Sequence, residues 1–64
     1  MYFKVIKKYK IFRPGDVIKI EQGRAKSGNY IVIKTKKGYK LTKFNYFIRR
    51  NKIIGKVTAI IKDF

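Results

Sequence analysis

Tyr30-Ile31-Val32-Ile33-Lys34-Thr35-Lys36-Lys37-Gly38-Tyr39-Lys40-Leu41-Thr42-Lys43 is the stretch from which the fold is read. Its first half is rich in β-branched and aromatic residues, which fit a pleated, half-buried surface, so it predicts a strand over Tyr30–Thr35. Lys36-Lys37-Gly38 predicts a three-residue hairpin with the glycine at the left-handed position, because glycine alone takes a positive φ without steric cost. Residues 39–43 then pair back on the first strand.

The same reading extends outward in both directions. Upstream, Arg13-Pro14-Gly15-Asp16 sets a proline beside a glycine, the order that presets a turn and supplies a positive φ at its third residue. Residues 2–12 read as one strand, with Phe3, Val5, Tyr9 and Ile11 on one side and Lys4, Lys8 and Lys10 on the other. Val17–Glu21 is the next strand, Lys19 and Glu21 facing water, and 23–29 is a loop. Downstream, the period slips over 44–48, which reads as a bend or single turn, and 49–52 is a polar connector. Ile53–Ile61 closes the chain as a fifth strand with Val57, Ala59 and Ile61 on one face and Gly55 placed for a kink or bulge. The expectation is an all-β fold, a small strongly curved sheet or barrel of about five short strands that hides its own edges.

With 64 residues there is one domain, 1–64. Hydrophobic residues form 45% and aromatics 16% of the chain, well above the level at which a highly charged sequence stays disordered. Cysteine and histidine are absent, which removes disulfides, thiolate chemistry and ordinary zinc sites and fits a reducing compartment. The longest apolar run, Tyr30-Ile31-Val32-Ile33, is far short of a membrane span, and the start carries no signal-peptide core. The chain reads as a complete cytoplasmic product.

Eighteen Lys and Arg stand against three acids, giving a formal charge of +15 and a pI near 10.4. Such a chain repels itself, and a polyanionic partner removes the repulsion. A lysine-rich coding bias is the plain alternative, but on solvated surfaces lysine is commonly accompanied by glutamate, and Glu21 is the only glutamate here.

Catalytic equipment is thin. Asp16, Glu21 and Asp63 are scattered along the chain, whereas acid/base pairs need two carboxylates brought together. Ser27 is the only serine and has no histidine to serve as its base. Its loop Gly23-Arg24-Ala25-Lys26-Ser27-Gly28 is glycine-flanked but lacks the Gly-Lys followed by Ser or Thr of a phosphate-binding loop. No enzyme, metal or cofactor is expected.

A binding surface remains. Lys4, Lys8 and Lys10 are expected in one row, because period 2 collects alternate residues on one face. Lys34 and Lys36 share a face of the third strand, Lys37 is at the hairpin, Lys40 is on the fourth strand, and Arg24 and Lys26 lie in the loop feeding that hairpin. Arg13, Arg49 and Arg50 complete the basic set. Neutralising about five phosphates would give a slope of log K against log salt near −4 to −5. Most aromatics are needed for packing, but Tyr30, Tyr39 and Tyr46 are the least committed and are candidates to stack on bases. The expected partner is nucleic acid, DNA favoured over RNA and duplex favoured, with little sequence preference. The alternative is a module or inhibitor gripping an acidic protein. The chain is expected as a monomer or homodimer without membrane binding.

Over residues 14–61 the order of motifs resembles the β-domain of LexA-like repressors and signal peptidases, a family of Ser/Lys peptidases. The resemblance is carried by Pro14-Gly15-Asp16-Val17-Ile18-Lys19-Ile20, by Gly28-Asn29-Tyr30-Ile31-Val32-Ile33 and by the closing Ile54-Gly55-Lys56-Val57-Thr58-Ala59-Ile60-Ile61. It implies a curved β-core without activity. Thr42 of Leu41-Thr42-Lys43-Phe44 stands where the family has its catalytic lysine, and Lys7, Lys8 and Tyr9 stand where it has its serine. The Gly-Asp opening is also similar to SH3-like and KOW-type barrels that bind nucleic acid.

Overall fold

Pro14 and Gly15 make the reversal their order predicts. Gly15 has φ +96°, the Asp16 N–H donates to the Arg13 carbonyl at 3.1 Å, and the Asp16 carboxylate accepts from the Arg13 N–H at 3.1 Å. Asp16 is thereby buried at 5% exposure as a turn residue.

The computed structural model describes residues 1–61, so Asp63 and its two neighbours lie outside the described residues. The protein is all-β. Strands β1 (Tyr2–Lys4), β2 (Val17–Glu21), β3 (Tyr30–Thr35), β4 (Gly38–Lys43) and β5 (Ile53–Ile61) form one antiparallel sheet in the order β1-β2-β5-β3-β4, curled into a half-barrel. A single 3₁₀ turn at Arg50–Lys52 occupies the expected polar connector.

Strand β5 makes the curl. It pairs with β2 through its C-terminal half and with β3 through its N-terminal half, and each ladder skips one β5 residue. Against β2, Lys19 faces Ala59 and Ile20 faces Val57, leaving Thr58 over. Against β3, Val32 faces Gly55 and Ile33 faces Ile53, leaving Ile54 over. Such bulges bend a strand and increase its twist. They also correct the expected face of β5: Val57 and Ile60 pack on the core while Ala59 and Ile61 are exposed, because the extra residue at Thr58 resets the alternation.

The inner face of the half-barrel holds Val5, Phe12, Ile18, Ile20, Val32 and Leu41, with Phe3, Tyr9, Tyr30, Ile54, Val57 and Ile60 against them. A second cluster of Ala25, Ile31 and Phe44, joined by Ile33, Ile48 and Ile53, covers the other face of β3. Both faces of β3 are therefore dry, which is why adjacent Ile31 and Val32 are both fully buried and why its apolar run is continuous.

Two expected elements differ. The strand over 2–12 ends at Lys4; the chain then bends and reverses at Tyr9-Lys10-Ile11-Phe12, where Tyr9 and Phe12 exchange backbone bonds of 3.0 and 2.8 Å. Phe12, at 0% exposure, takes the inward place expected of Ile11, which is 59% exposed. In the hairpin, Gly38 carries the positive φ, +122°, but pairs with Thr35 as the first residue of β4, leaving Lys36 and Lys37 as the tip.

Candidate nucleic-acid interface

The edges of the sheet are β1 and β4, and the curl brings residues of both to the border of one cleft without pairing the strands. This cleft, of about 300 Å³, is floored by Phe3, Val5, Tyr9 and Leu41 and lined at its sides by Ile6, Lys7, Lys8, Tyr39 and Lys40. Tyr39 is 58% and Ile6 80% exposed. Strand register sets Lys34 beside Tyr39, because Lys34 lies directly opposite Tyr39 and residues opposed across an antiparallel pair share a face. At the other end of β4 the Tyr9 hydroxyl accepts the Lys43 N–H at 3.0 Å, standing in for the carbonyl a further strand would offer. The seam is thus an apolar and aromatic floor edged by lysines.

Of the residues expected from sequence, Lys8, Tyr39 and Lys40 line this cleft; Lys34 shares the face of Tyr39 one strand in from the edge, while Lys40, opposite Ile33, lies on the other face of β4 and borders the cleft at its rim. Lys4, Lys8 and Lys10 do not form a strand row, since only Lys4 lies on a strand; Lys10 sits at the 9–12 reversal with φ +55°. A lysine there carries backbone strain of about 1 kcal/mol or more. Lys36 and Lys37 are exposed at the hairpin tip, so Lys36 does not share a strand face with Lys34. Arg13 stays exposed beside its turn.

Arg24, Lys26, Arg49 and Arg50 belong to a different region, over the outer face of β3. Arg50 donates to the Ala25 carbonyl at 3.5 Å and lies over the Phe44 ring at 5.4 Å, tying the 22–29 loop to the 44–52 segment. Its guanidinium therefore has structural work. Tyr30 is also engaged: its ring meets Phe12 edge-on at 4.8 Å and Tyr9 at 6.0 Å, which leaves its faces packed rather than open for stacking.

Sequence reading missed Lys7 and Ile6, because the bend after Lys4 takes them out of alternation, and it missed Phe47. Phe47 is 97% exposed and Tyr46 77%, although both follow a buried Phe44. The only signal was the slip in period over 44–48 that puts them in a turn.

The electrostatics are one-sided. Among the described residues there is one ion pair, Lys19 to Glu21 at 3.2 Å, with both side chains about half exposed and hence worth under about 1 kcal/mol. No acidic residue stands between Glu21 and Asp63, so β3, β4, the 44–52 segment and β5 carry cations alone. No group of three or more His, Cys, Asp or Glu gathers among the described residues, and no helix there is long and apolar enough to cross a membrane.

Comparison with protein-family models, with characterised proteins and with solved structures returns no match.

Proposed function

We propose that this protein is a non-enzymatic β-domain that binds nucleic acid through its phosphates, with little sequence preference and with duplex DNA as the expected substrate. The observation that carries the reading is the uncompensated charge: +15 on 64 residues, one exposed ion pair among the described residues, and no acid over the chain from Gln22 to Lys62. Lysines and arginines held on a rigid sheet release counterions from a phosphate backbone when they bind it, and that release drives association without reading bases. Lys7, Lys8 and Lys40 at the seam, with Lys34 one strand in and Lys36 and Lys37 at the hairpin tip, supply the nearest group of such contacts.

The test is fluorescence anisotropy with random-sequence duplexes over a salt series. About five neutralised phosphates give a slope of log K against log salt of about −4.5, and each of Lys8→Gln, Lys34→Gln and Lys40→Gln makes the slope shallower by about 0.9. Weak binding at low salt, or binding indifferent to salt, overturns the reading. That result would favour a second reading for which the seam gives a specific reason: two unpaired strand edges flanking an apolar cleft suit an extended acidic segment of a protein partner, added as a strand between β1 and β4.

A further inference from the structure

The 44–48 segment is built to hold two aromatic rings out in water. Phe44 is buried in the outer cluster and Ile48 packs against the same cluster, so both ends of the turn are anchored. Within it the Phe47 N–H donates to the Asn45 side-chain oxygen at 2.9 Å and the Ile48 N–H to the Asn45 carbonyl at 3.2 Å. The Tyr46 ring is steadied edge-on against Phe44, centroids 5.3 Å apart, and Phe44 is in turn covered by Arg50. Phe47 is nonetheless 97% and Tyr46 77% exposed. Neither contributes to the core in proportion to its size, and the anchored turn has already lost the backbone freedom that binding would otherwise remove.

The surroundings decide what such rings meet. Arg49 follows directly and is exposed, and Arg24 and Lys26 flank Ala25, whose carbonyl is tied to Arg50 beneath the tip. No acid lies in either segment. Exposed rings among cations match a ligand with flat apolar faces strung on a polyanion, which is an unpaired nucleic-acid strand. A duplex offers this tip phosphates, since its bases are already stacked on one another.

We propose that the Tyr46-Phe47 tip is a stacking platform for the unpaired bases of a single-stranded nucleic acid, whose phosphates are held by Arg49, Arg24 and Lys26. It rests on the nucleic-acid reading above and extends it by naming the strand form that this face takes. Stacking of one base on an aromatic ring is neutral in charge, so it contributes the same factor at every salt concentration, whereas each cation contributes to the slope.

The experiment compares the wild-type protein with Phe47→Ala, Tyr46→Ala and Arg49→Gln on fluorescein-labelled oligothymidylate and on a duplex of equal length, across the same salt series. All three side chains are exposed, and equal urea midpoints confirm an unchanged fold. Phe47→Ala and Tyr46→Ala should each weaken oligothymidylate binding by roughly 5- to 150-fold with the salt slope unchanged, and leave duplex binding within about twofold. Arg49→Gln should make the single-strand slope shallower by about 0.7. Single-strand affinity unaffected by either aromatic substitution, or an equal loss on duplex, overturns the platform while leaving phosphate binding standing. Wild-type protein that binds neither strand form at low salt overturns the underlying reading instead. Loss of binding to anionic phospholipid vesicles in Phe47→Ala, without loss on oligothymidylate, assigns the tip to a lipid surface and also overturns it.

Discussion

At Gly55 the backbone of β5 lies tight against that of β2. A Cβ placed there would lie 3.0 Å from the Glu21 carbonyl oxygen and 3.3 Å from its carbon, both main-chain atoms that cannot rotate away. The glycine thus permits the approach on which the β2–β5 ladder depends, next to the bulge at Ile54. Gly55→Val should destabilise the protein by about 1–3 kcal/mol, the range of overpacking in a close-fitted core, read as a lower urea midpoint at constant slope. A domain this size has only about 3–10 kcal/mol in total, so the loss is a large fraction. An unchanged midpoint would mean that the two strands separate without penalty at this point. Gly55 was legible as a site of a kink or bulge because a glycine inside a strand pattern marks either a break or a close contact. That the neighbour is Glu21, far off in sequence, was not legible.

Among the elements, β2, β3 and β5 run over the residues their sequence predicts, because each carries enough β-branched and aromatic residues between turn signals to be read locally. What failed is parity. Strict alternation puts Val57, Ala59 and Ile61 on one face, but pairing with β2 leaves Thr58 unmatched and hands the inward place to Ile60. Nothing in Thr58 itself announces this; the bulge exists because one strand must follow two partners around a curl, a tertiary demand. The stretch 2–12 failed likewise, since Phe12 wins the core over Ile11 only once Lys10 adopts a positive φ that its side chain disfavours. The candidate site divides the same way. Lys8, Tyr39 and Lys40 were legible as basic or aromatic surface, but the seam that joins them depends on where two edges end up, and Phe47 depends on a turn with no period to follow. Deleting Thr58 tests the bulge. It leaves Val57 and Ile60 inward and Ala59 outward in plain alternation but takes out the residue that bends β5 between its two partners, so the closing strand follows the curl less well and stability should fall by about 0.5–3 kcal/mol, measured by urea unfolding. A stability within error of wild type would show that β5 can slip to a bulge-free register.

On the scale of the whole molecule, charge and size act together. The body measures 34 × 23 × 21 Å and carries a formal +15. At an ionic strength of about 0.01 M the screening length is about 30 Å, so nearly every cation feels every other across the sheet; at about 0.1 M it is about 10 Å and only neighbours interact. Unfolding lets the charges move apart, so repulsion favours the unfolded chain most strongly at low salt. Acids that would reverse this are too few, with Asp16 enclosed in its turn and Glu21 bound to Lys19. Thermal melting followed by circular dichroism in sodium chloride should therefore give a Tm that rises by roughly 5 °C between those two concentrations, equivalent to about 1 kcal/mol for a domain of this size. Short duplex DNA added at the lower salt should raise the Tm further, because a ligand that binds the folded sheet better than the open chain stabilises it by mass action. The two salt effects run in opposite directions: added salt stabilises the free protein while loosening its hold on phosphate. A Tm that falls or stays level over this range would show that the cations are compensated within the fold, and the pressure toward a polyanionic partner would disappear with it.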